Sequence, residues 1–239
     1  MVLKTQQPNN LTTLNLRALN SKRKTINLTS PHMLFDISFY SACDYIGTLA
    51  FAISGVRLAS AKRFDLFGAY IVGIATAIGG GTTRDIMLNV PIFWLKDPTY
   101  LLICAFAVFW VVMFRKHLVK QDNTWFIFDT IGLAVFAITG IEKTLSNGFP
   151  YWTAILMGTL TGAGGGVLRD IFINVEPLIF RKEIYALACV IGGIFYWLCY
   201  EYFDFNHVWS GIVCAGAVIV MRLLAVHYKL HLPNLKGED

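Results

Sequence analysis

Seven predominantly apolar runs alternate with short polar segments along the chain. They cover residues 35–56, 66–90, 99–114, 124–141, 151–175, 184–200 and 208–226. A helix rises about 1.5 Å per residue, so about 20 residues cross the roughly 30 Å hydrocarbon layer of a membrane. The pattern predicts an all-α polytopic membrane protein with seven transmembrane helices.

Polar and small residues recur at helical spacing inside the first and fourth runs. These residues are Asp44, Gly47, Thr48, Phe51, Gly55, Asp129, Gly132, Phe136 and Gly140. A helix face of this kind points into protein or water rather than into lipid. For Asp44 and Asp129 two interpretations stay open. Either they cap their helices at the membrane surface, or they attract cations inside the protein.

The second and fifth runs each contain a glycine triplet that is followed closely by an Arg-Asp pair. The two motifs are Gly79, Gly80, Gly81, Thr82, Thr83, Arg84, Asp85 and Gly164, Gly165, Gly166, Val167, Leu168, Arg169, Asp170. Glycine weakens a helix interior by about 1 kcal/mol relative to alanine, so each triplet predicts a break in its helix. The unpaired carbonyls at such a break would coordinate a cation, and the unpaired amides would attract an anion.

The residues beside the predicted breaks allow further interpretation. Thr82 and Asp85 have the spacing of a weak capping box for the second half-helix. The Arg-Asp pairs have two readings. In one, Arg84 bridges Asp170 and Arg169 bridges Asp85, which neutralises buried charge. In the other, at least one charge faces a permeation path and sets its electric field.

The chain contains an internal repeat with an offset of 85 residues, which relates Asp44 to Asp129 and Arg84 to Arg169 without a gap. Each copy holds three runs, and an odd number inverts the second copy in the membrane. The predicted divisions are a mobile polar tail (1–34), a first three-helix repeat (35–118), a second one (119–203), a seventh helix (204–227) and a C-terminal tail (228–239).

Composition excludes several classes of protein. Hydrophobic residues make up 56% of the chain and charged residues only 15%, whereas soluble domains carry about 25% charge. The net charge of +5 comes from basic residues between the apolar runs, so we expect no nucleic-acid partner. The five cysteines form no Cys-x-x-Cys pair and the five histidines have no ligand spacing. We therefore expect neither a bound metal nor a cofactor.

Basic residues are distributed unequally between the two sets of connecting segments. One set, with the C-terminus, carries Lys62, Arg63, Arg115, Lys116, Lys120, Arg181, Lys182, Arg222, Lys229 and Lys236, and the other carries only Lys96 and Lys143. The positive-inside rule then predicts a cytoplasmic C-terminus and an external N-terminus. A further basic run in the tail, Lys22 to Lys24, is either solvated or attracted to anionic lipid headgroups.

The paired motifs resemble those of the bacterial relatives of the trimeric intracellular cation (TRIC) channels, a family also known for glycine-transporter domains. The resemblance covers residues 36–226. It implies a homotrimer in the bacterial inner (plasma) membrane, with a pore in each protomer between the kinked second and fifth helices, through which monovalent cations, chiefly K⁺, pass. The kink residues would be both glycine triplets, with the Arg-Asp pairs beside them. The most plausible pore-lining groups are Asp44, Thr48, Asp129 and Thr139. The basic phosphoinositide motif of animal members is not found.

We therefore expect a K⁺-preferring channel. The alternative is a secondary transporter of glycine or another small amino acid, because amides at a half-helix start could hold its carboxylate while carbonyls or an aspartate hold its ammonium group. An enzyme is not expected. The sequence lacks a Ser-His-Asp set, a His-Glu-x-x-His motif and the lysine of a phosphate-binding loop.

Overall fold

The computed structural model describes residues 31–114, 124–180 and 184–230 of the chain. Most of these residues form seven long helices, which are α1 (Pro31–Ala61), α2 (Leu66–Met87), α3 (Thr99–Met113), α4 (Thr124–Ser146), α5 (Tyr151–Phe172), α6 (Ala186–Tyr202) and α7 (His207–His227). A four-residue helix, Phe93–Lys96, precedes α3, and a 3-10 helix, Leu178–Phe180, precedes α6. No strand occurs within these ranges. The predicted all-α fold is confirmed.

Some of the sequence predictions concern residues outside the described ranges. These are the tail up to residue 30 with its basic run Lys22, Arg23 and Lys24, together with Arg115, Lys116, Lys120, Arg181, Lys182 and Lys236. The orientation predicted from the charge count depends largely on these residues, so it stays a prediction. The description below concerns the unit that begins at Ser38.

Four helical segments are long and apolar enough to cross a membrane. They are Phe39–Ala61, Leu66–Met87, Thr124–Ser146 and His207–His227, and two shorter apolar helices are Thr99–Met113 and Ala186–Tyr202. α5 has 22 residues but is not among the four.

Large apolar side chains cover much of the outer surface of the bundle. On α3, Leu102, Phe106 and Phe109 are exposed, as are Leu223 and Leu224 on α7. Water would penalise such surface by roughly 25 cal/mol per Å², whereas the hydrocarbon of a lipid bilayer would not. The exposed apolar surface therefore suits a protein whose solvent is the membrane.

α2 and α5 cross at their glycine triplets with backbone against backbone. A Cβ atom added to Gly80 would lie 2.2 Å from the carbonyl oxygen of Thr161, and one added to Gly165 would lie 2.2 Å from that of Thr76. Real Cβ atoms do not come so close, so only glycine allows this approach. The pairing of 80 with 161 and of 76 with 165 also shows that the two helices cross antiparallel.

The predicted breaks in the second and fifth helices are wrong. α2 runs uninterrupted through Gly79–Gly81, and α5 runs uninterrupted through Gly164–Gly166. Thr82 does not cap a half-helix, because its hydroxyl donates to the carbonyl of Ile78 at 2.7 Å within the same helix. Thr83 bonds the carbonyl of Gly79 in the same way at 3.0 Å. Close packing at the crossing offsets the low helix propensity of glycine, so the backbone stays paired.

α1 and α4 also pack antiparallel, and their contact fixes which residues lie opposite each other. A Cβ on Gly47 would lie 3.0 Å from the ring of Phe136, and one on Gly132 would lie 2.1 Å from the ring of Phe51. The centres of these two rings are 5.2 Å apart. The same register places Asp44 opposite Thr139, and Ser54 opposite Asp129.

Candidate functional site

Asp85 and Asp170 are held by equivalent turns at the ends of α2 and α5. After Asp85 the chain turns at Asn89 (φ 53°), and after Asp170 it turns at Asn174 (φ 52°). Asparagine tolerates this left-handed conformation better than most residues. Each turn lets a later backbone amide return to the carboxylate. The amide of Phe93 donates to Asp85 Oδ2 at 3.1 Å, and that of Leu178 donates to Asp170 Oδ2 at 3.0 Å.

The first cluster of charged residues consists of Asp44, Arg84, Asp85 and Lys143. Arg84 contacts Asp85 Oδ1 through Nη2 at 2.8 Å and through Nε at 2.9 Å. Lys143 on α4 contacts the other oxygen of Asp85 at 2.8 Å. The Lys143 side chain is 30% exposed, while the carboxylate of Asp85 is fully buried. The first cluster therefore reaches the surface through Lys143.

One aromatic ring supports both cations of the first cluster. The Phe93 ring centre lies 5.9 Å from the Arg84 guanidinium carbon and 5.6 Å from Lys143 Nζ. Such cation–π contacts are worth about 0.5–2 kcal/mol, more when they are desolvated. The indole nitrogen of Trp94 donates to the hydroxyl of Thr82 at 3.0 Å and closes this end of α2.

The second cluster consists of Asp129, Arg169 and Asp170, with Ser54 and Tyr185 as hydrogen-bond partners. Arg169 Nε binds Asp170 Oδ1 at 2.9 Å, while Arg169 Nη1 binds both Asp129 Oδ1 and, at 2.9 Å, the hydroxyl of Ser54. The Tyr185 hydroxyl donates to Asp129 Oδ1 at 3.4 Å. Arg169 and Asp129 have no exposed surface, so the second cluster is sealed where the first is partly open.

The predicted cross-bridges are wrong, because each arginine binds the aspartate that follows it. Arg84 pairs with Asp85, and Arg169 pairs with Asp170. The antiparallel crossing explains this result. It places Arg84 level with residue 157 of α5, and Arg169 level with residue 72 of α2, so the two arginines lie about 18 Å apart along the helix axes at about 1.5 Å per residue. No salt bridge spans that distance.

The other residues predicted for the site lie near the first cluster. Asp44 is half-buried, and Thr48 is buried with its hydroxyl bonded to the carbonyl of Asp44 at 2.7 Å. Thr139 is buried on α4. Asp44 has no ion pair within 4.0 Å among the described residues, although its carboxylate interacts electrostatically with Arg84 and Lys143. The interpretation of Asp129 as a helix cap at the membrane surface does not fit its complete burial.

A cavity of about 170 Å³ lies against the second cluster. Its lining includes Leu58, Trp125, Arg169 and Asp170, together with Lys62, which follows the end of α1. The ring of Trp125 also lies 5.7 Å from the guanidinium carbon of Arg169. The cavity gives the second cluster a potential route to the surface on the side opposite Lys143.

Sequence reasoning missed four residues of the site. Ser54 could have been found, because the offset of 85 relates it to Thr139. Phe93 is likewise related to Leu178, whose backbone amide donates to Asp170 as that of Phe93 donates to Asp85. Lys143 is related to Leu58, so the repeat gave no signal for its charge. Tyr185 could also have been found, because the offset of 85 relates it to Tyr100.

A third polar cluster joins α4, α6 and α7 away from the two charged clusters. The hydroxyl of Tyr196 donates to Glu142 Oε2 at 2.7 Å and lies 2.9 Å from His207 Nδ1. His207 Nδ1 is 3.2 Å from the same oxygen of Glu142. Within the described part of the chain, no group of three or more His, Cys, Asp or Glu residues could hold a metal ion. The contacts among Tyr196, Glu142 and His207 connect α6, α4 and α7.

The sequence profile of the family described as Glycine transporter matches this chain twice, over residues 41–116 and 126–201. The two matches are displaced by 85 residues, which is the offset of the internal repeat. Among curated relatives, the UPF0126 inner membrane protein YadS of Escherichia coli is 39% identical over 200 residues, which cover 82% of this chain and 96% of the relative. A UPF0126 membrane protein of Vibrio cholerae is 40% identical over 211 residues, covering 83% and 84%.

Solved structures with the same fold include channels. A TRIC trimeric intracellular cation channel orthologue from Rhodobacter sphaeroides is 30% identical, with a TM-score of 0.76, and the match covers 81% of this chain and 100% of that one. A prokaryotic TRIC channel is 32% identical, with a TM-score of 0.74, and the match covers 82% and 100%. The similarity therefore extends over nearly the whole of these relatives.

Proposed function

The chain belongs to the glycine transporter family of integral membrane proteins and is a homologue of the bacterial TRIC channels, and from this premise we propose that it is a cation channel. The ion that it prefers is K⁺, and each protomer holds its own pore beside the crossing of α2 and α5. The observation that supports this proposal is the pair of charged clusters at the two ends of the crossing. In a membrane protein such residues mark an ion path by default.

The path that we propose enters at the partly exposed Lys143, passes Asp44 and the first cluster, and continues along the triplets to the second cluster. It leaves through the cavity beside Lys62. The buried ion pair between Arg169 and Asp129 would close this path, since it fills the space between α1, α4 and α5. Opening would require Arg169 to move towards the cavity that it already lines.

The same proposal includes the arrangement of the protein in its membrane. Seven helices cross the bilayer as two inverted three-helix repeats and a seventh helix, with the N-terminus outside and the C-terminus in the cytoplasm. Equivalent turns after Asp85 and Asp170 and the antiparallel crossing support this arrangement. The bundle's exposed apolar surface would contact lipids, and the solved relatives, which are named trimeric channels, support a homotrimer. They also favour a channel over an enzyme.

Transport of glycine or a similar small amino acid is the second candidate, and one observation favours it. Arg169 Nη2 and Asp129 Oδ2 are buried and have no hydrogen-bond partner among the described residues. A guanidinium donor suits a carboxylate, and a carboxylate acceptor suits an ammonium group. A small zwitterion supplies both charges, which matches the name of the family.

Flux through purified protein in liposomes would separate the two candidates. We expect discrete K⁺ currents in a planar bilayer, with K⁺ more permeant than chloride and no uptake of labelled glycine above protein-free vesicles. Saturable glycine uptake without unitary currents would instead establish the transporter. If protein that migrates as a single oligomer shows neither K⁺ currents nor glycine uptake, both candidates are rejected.

A further inference from the structure

The repeat relates three pairs of residues across the two charged clusters. Ser54 corresponds to Thr139, Asp129 to Asp44, and Arg169 to Arg84. In the second cluster, one guanidinium nitrogen of Arg169 lies between the Ser54 hydroxyl and the Asp129 carboxylate. A positive charge there is held between a hydroxyl oxygen on α1 and a carboxylate on α4.

The first cluster has the same two oxygen groups but lacks the guanidinium between them. Arg84 turns towards its neighbour, since both Nε and Nη2 contact Asp85 Oδ1. The packing of α1 against α4 places Asp44 opposite Thr139, as it places Asp129 opposite Ser54. The first cluster therefore keeps the oxygen groups in the equivalent position, and Arg84 is engaged elsewhere.

The hydroxyl of Thr139 is the second observation that indicates a ligand. Thr139 is 4% exposed, and its Oγ1 has no hydrogen-bond partner at normal distance in the described part of the chain. It lies opposite Asp44 in the packing of α1 against α4. A buried polar oxygen without a partner costs about 1–3 kcal/mol, so a ligand that bound it would relieve that cost.

We propose that the Asp44 carboxylate and the Thr139 hydroxyl form a binding site for a monovalent cation, at the position where Arg169 places its guanidinium in the other half. The inference rests on the proposed cation channel and adds a defined ion site to it. Carboxylate and hydroxyl oxygens are hard ligands, which suit hard cations rather than soft ones. The positive charges of Arg84 and Lys143 balance the negative charges of Asp44 and Asp85. Without a surplus of negative charge, the site should hold a monovalent ion better than a divalent one.

The chain itself offers a matched pair of variants. Thr139→Val removes the hydroxyl while it keeps the shape of the side chain, and Thr139→Ser keeps the hydroxyl, as Ser54 does in the second cluster. Asp44→Asn removes the charge of the carboxylate. Asp204→Asn removes an acidic charge from an exposed turn at a positive φ of 51°, which asparagine tolerates, and serves as the control.

The test locates the ion directly by soaking crystals of the full chain in thallium, which replaces K⁺ and scatters anomalously. We expect a thallium peak between Asp44 and Thr139 in the wild type, in Thr139→Ser and in Asp204→Asn. In Asp44→Asn and Thr139→Val, thallium affinity should fall about tenfold or more, which corresponds to about 1.4 kcal/mol. Calcium at the same concentration should not displace the peak.

Several outcomes would overturn the site. They are a wild-type map without a peak at Asp44, or a peak that survives both Asp44→Asn and Thr139→Val. If Asp44→Asn does not fold, the comparison of Thr139→Val with Thr139→Ser still shows whether the hydroxyl binds the ion. K⁺ currents recorded in parallel separate this inference from the proposed function. A conducting wild type with no peak rejects the site alone, while a peak in a wild type that does not conduct rejects the channel alone.

Discussion

Arg169 on α5 and Asp129 on α4 form an ion pair without any exposed surface. The pair joins α5, which carries the second glycine triplet, to α4, which contributes Glu142 to the third polar cluster. A buried pair contributes little net stability, because desolvation offsets the attraction, but removal of one partner leaves an uncompensated charge. The first prediction follows from this asymmetry.

Replacing Asp129 by asparagine should destabilise the protein strongly. Loss of one partner of a buried ion pair typically costs about 3–5 kcal/mol, so the melting temperature in detergent should fall clearly. Asp44→Asn makes the same change at the equivalent position, where the described residues form no direct ion pair, and should cost much less. Equal losses in the two variants would contradict the difference between the clusters.

Enlarging a glycine at the crossing should disrupt both packing and flux. Gly80→Leu or Gly165→Leu would place a side chain where a Cβ already lies 2.2 Å from a backbone oxygen of the opposite helix. We expect K⁺ flux to be lost, and the free energy of unfolding to fall by about 1–3 kcal/mol or more through overpacking. Gly216→Leu on α7 is the control, since no atom lies within 4 Å of its added Cβ. Normal flux through both crossing variants would remove the triplets from the mechanism.

Removal of the Lys143 charge should raise cation conductance. Lys143 is the partly exposed cation of the first cluster, and Asp85 retains Arg84 and the amide of Phe93 as partners without it. In the variant Lys143→Gln we expect a larger single-channel K⁺ current, most clearly at low ionic strength, where screening is weakest. Lys96→Gln on the exposed four-residue helix provides the control. An unchanged current in Lys143→Gln would place this residue off the path.

The third polar cluster should contribute to stability rather than to conductance. Tyr196 is fully buried, and its hydroxyl bonds Glu142 at 2.7 Å. Tyr196→Phe leaves Glu142 without this donor and should lower the free energy of unfolding by about 1–3 kcal/mol. Tyr202→Phe at the exposed end of α6 should have no such effect. Thermal melting followed by fluorescence would measure both, and a normal melting temperature for Tyr196→Phe would show that the hydroxyl is dispensable.

Much of the fold could be predicted because long apolar runs leave few alternatives in a membrane protein. The starts of α2, α3, α4 and α5 coincide with the first residues of their predicted runs. The break at the triplets could not be decided from propensity, because the contact of Gly80 with Thr161 depends on a partner helix that is distant in sequence. Tertiary packing overrides the intrinsic cost of glycine there.

The sequence identified several members of the two charged clusters but not their pairing, and the part of these residues in transport stays a prediction. The offset identified Asp44, Asp129 and both Arg-Asp pairs, and the structure places them in two clusters. The partners of Arg84 and Arg169 depend on the register of the crossing, which sends the two arginines to opposite ends of α2 and α5. The role of Lys143 could not be predicted, because its charge has no equivalent in the first repeat.

The crossing of α2 and α5 consists of bare backbone, and this has a mechanical consequence. Side chains that interdigitate lock two helices at a fixed angle, whereas Gly80 and Gly165 place backbone against backbone at the crossing point itself. α2 and α5 can therefore rotate relative to each other about this crossing point. Rotation about this point would move Arg84 and Arg169 together, because Arg84 on α2 and Arg169 on α5 lie on opposite sides of the crossing. A small change in the crossing angle at the glycines would therefore displace both charged clusters at the same time.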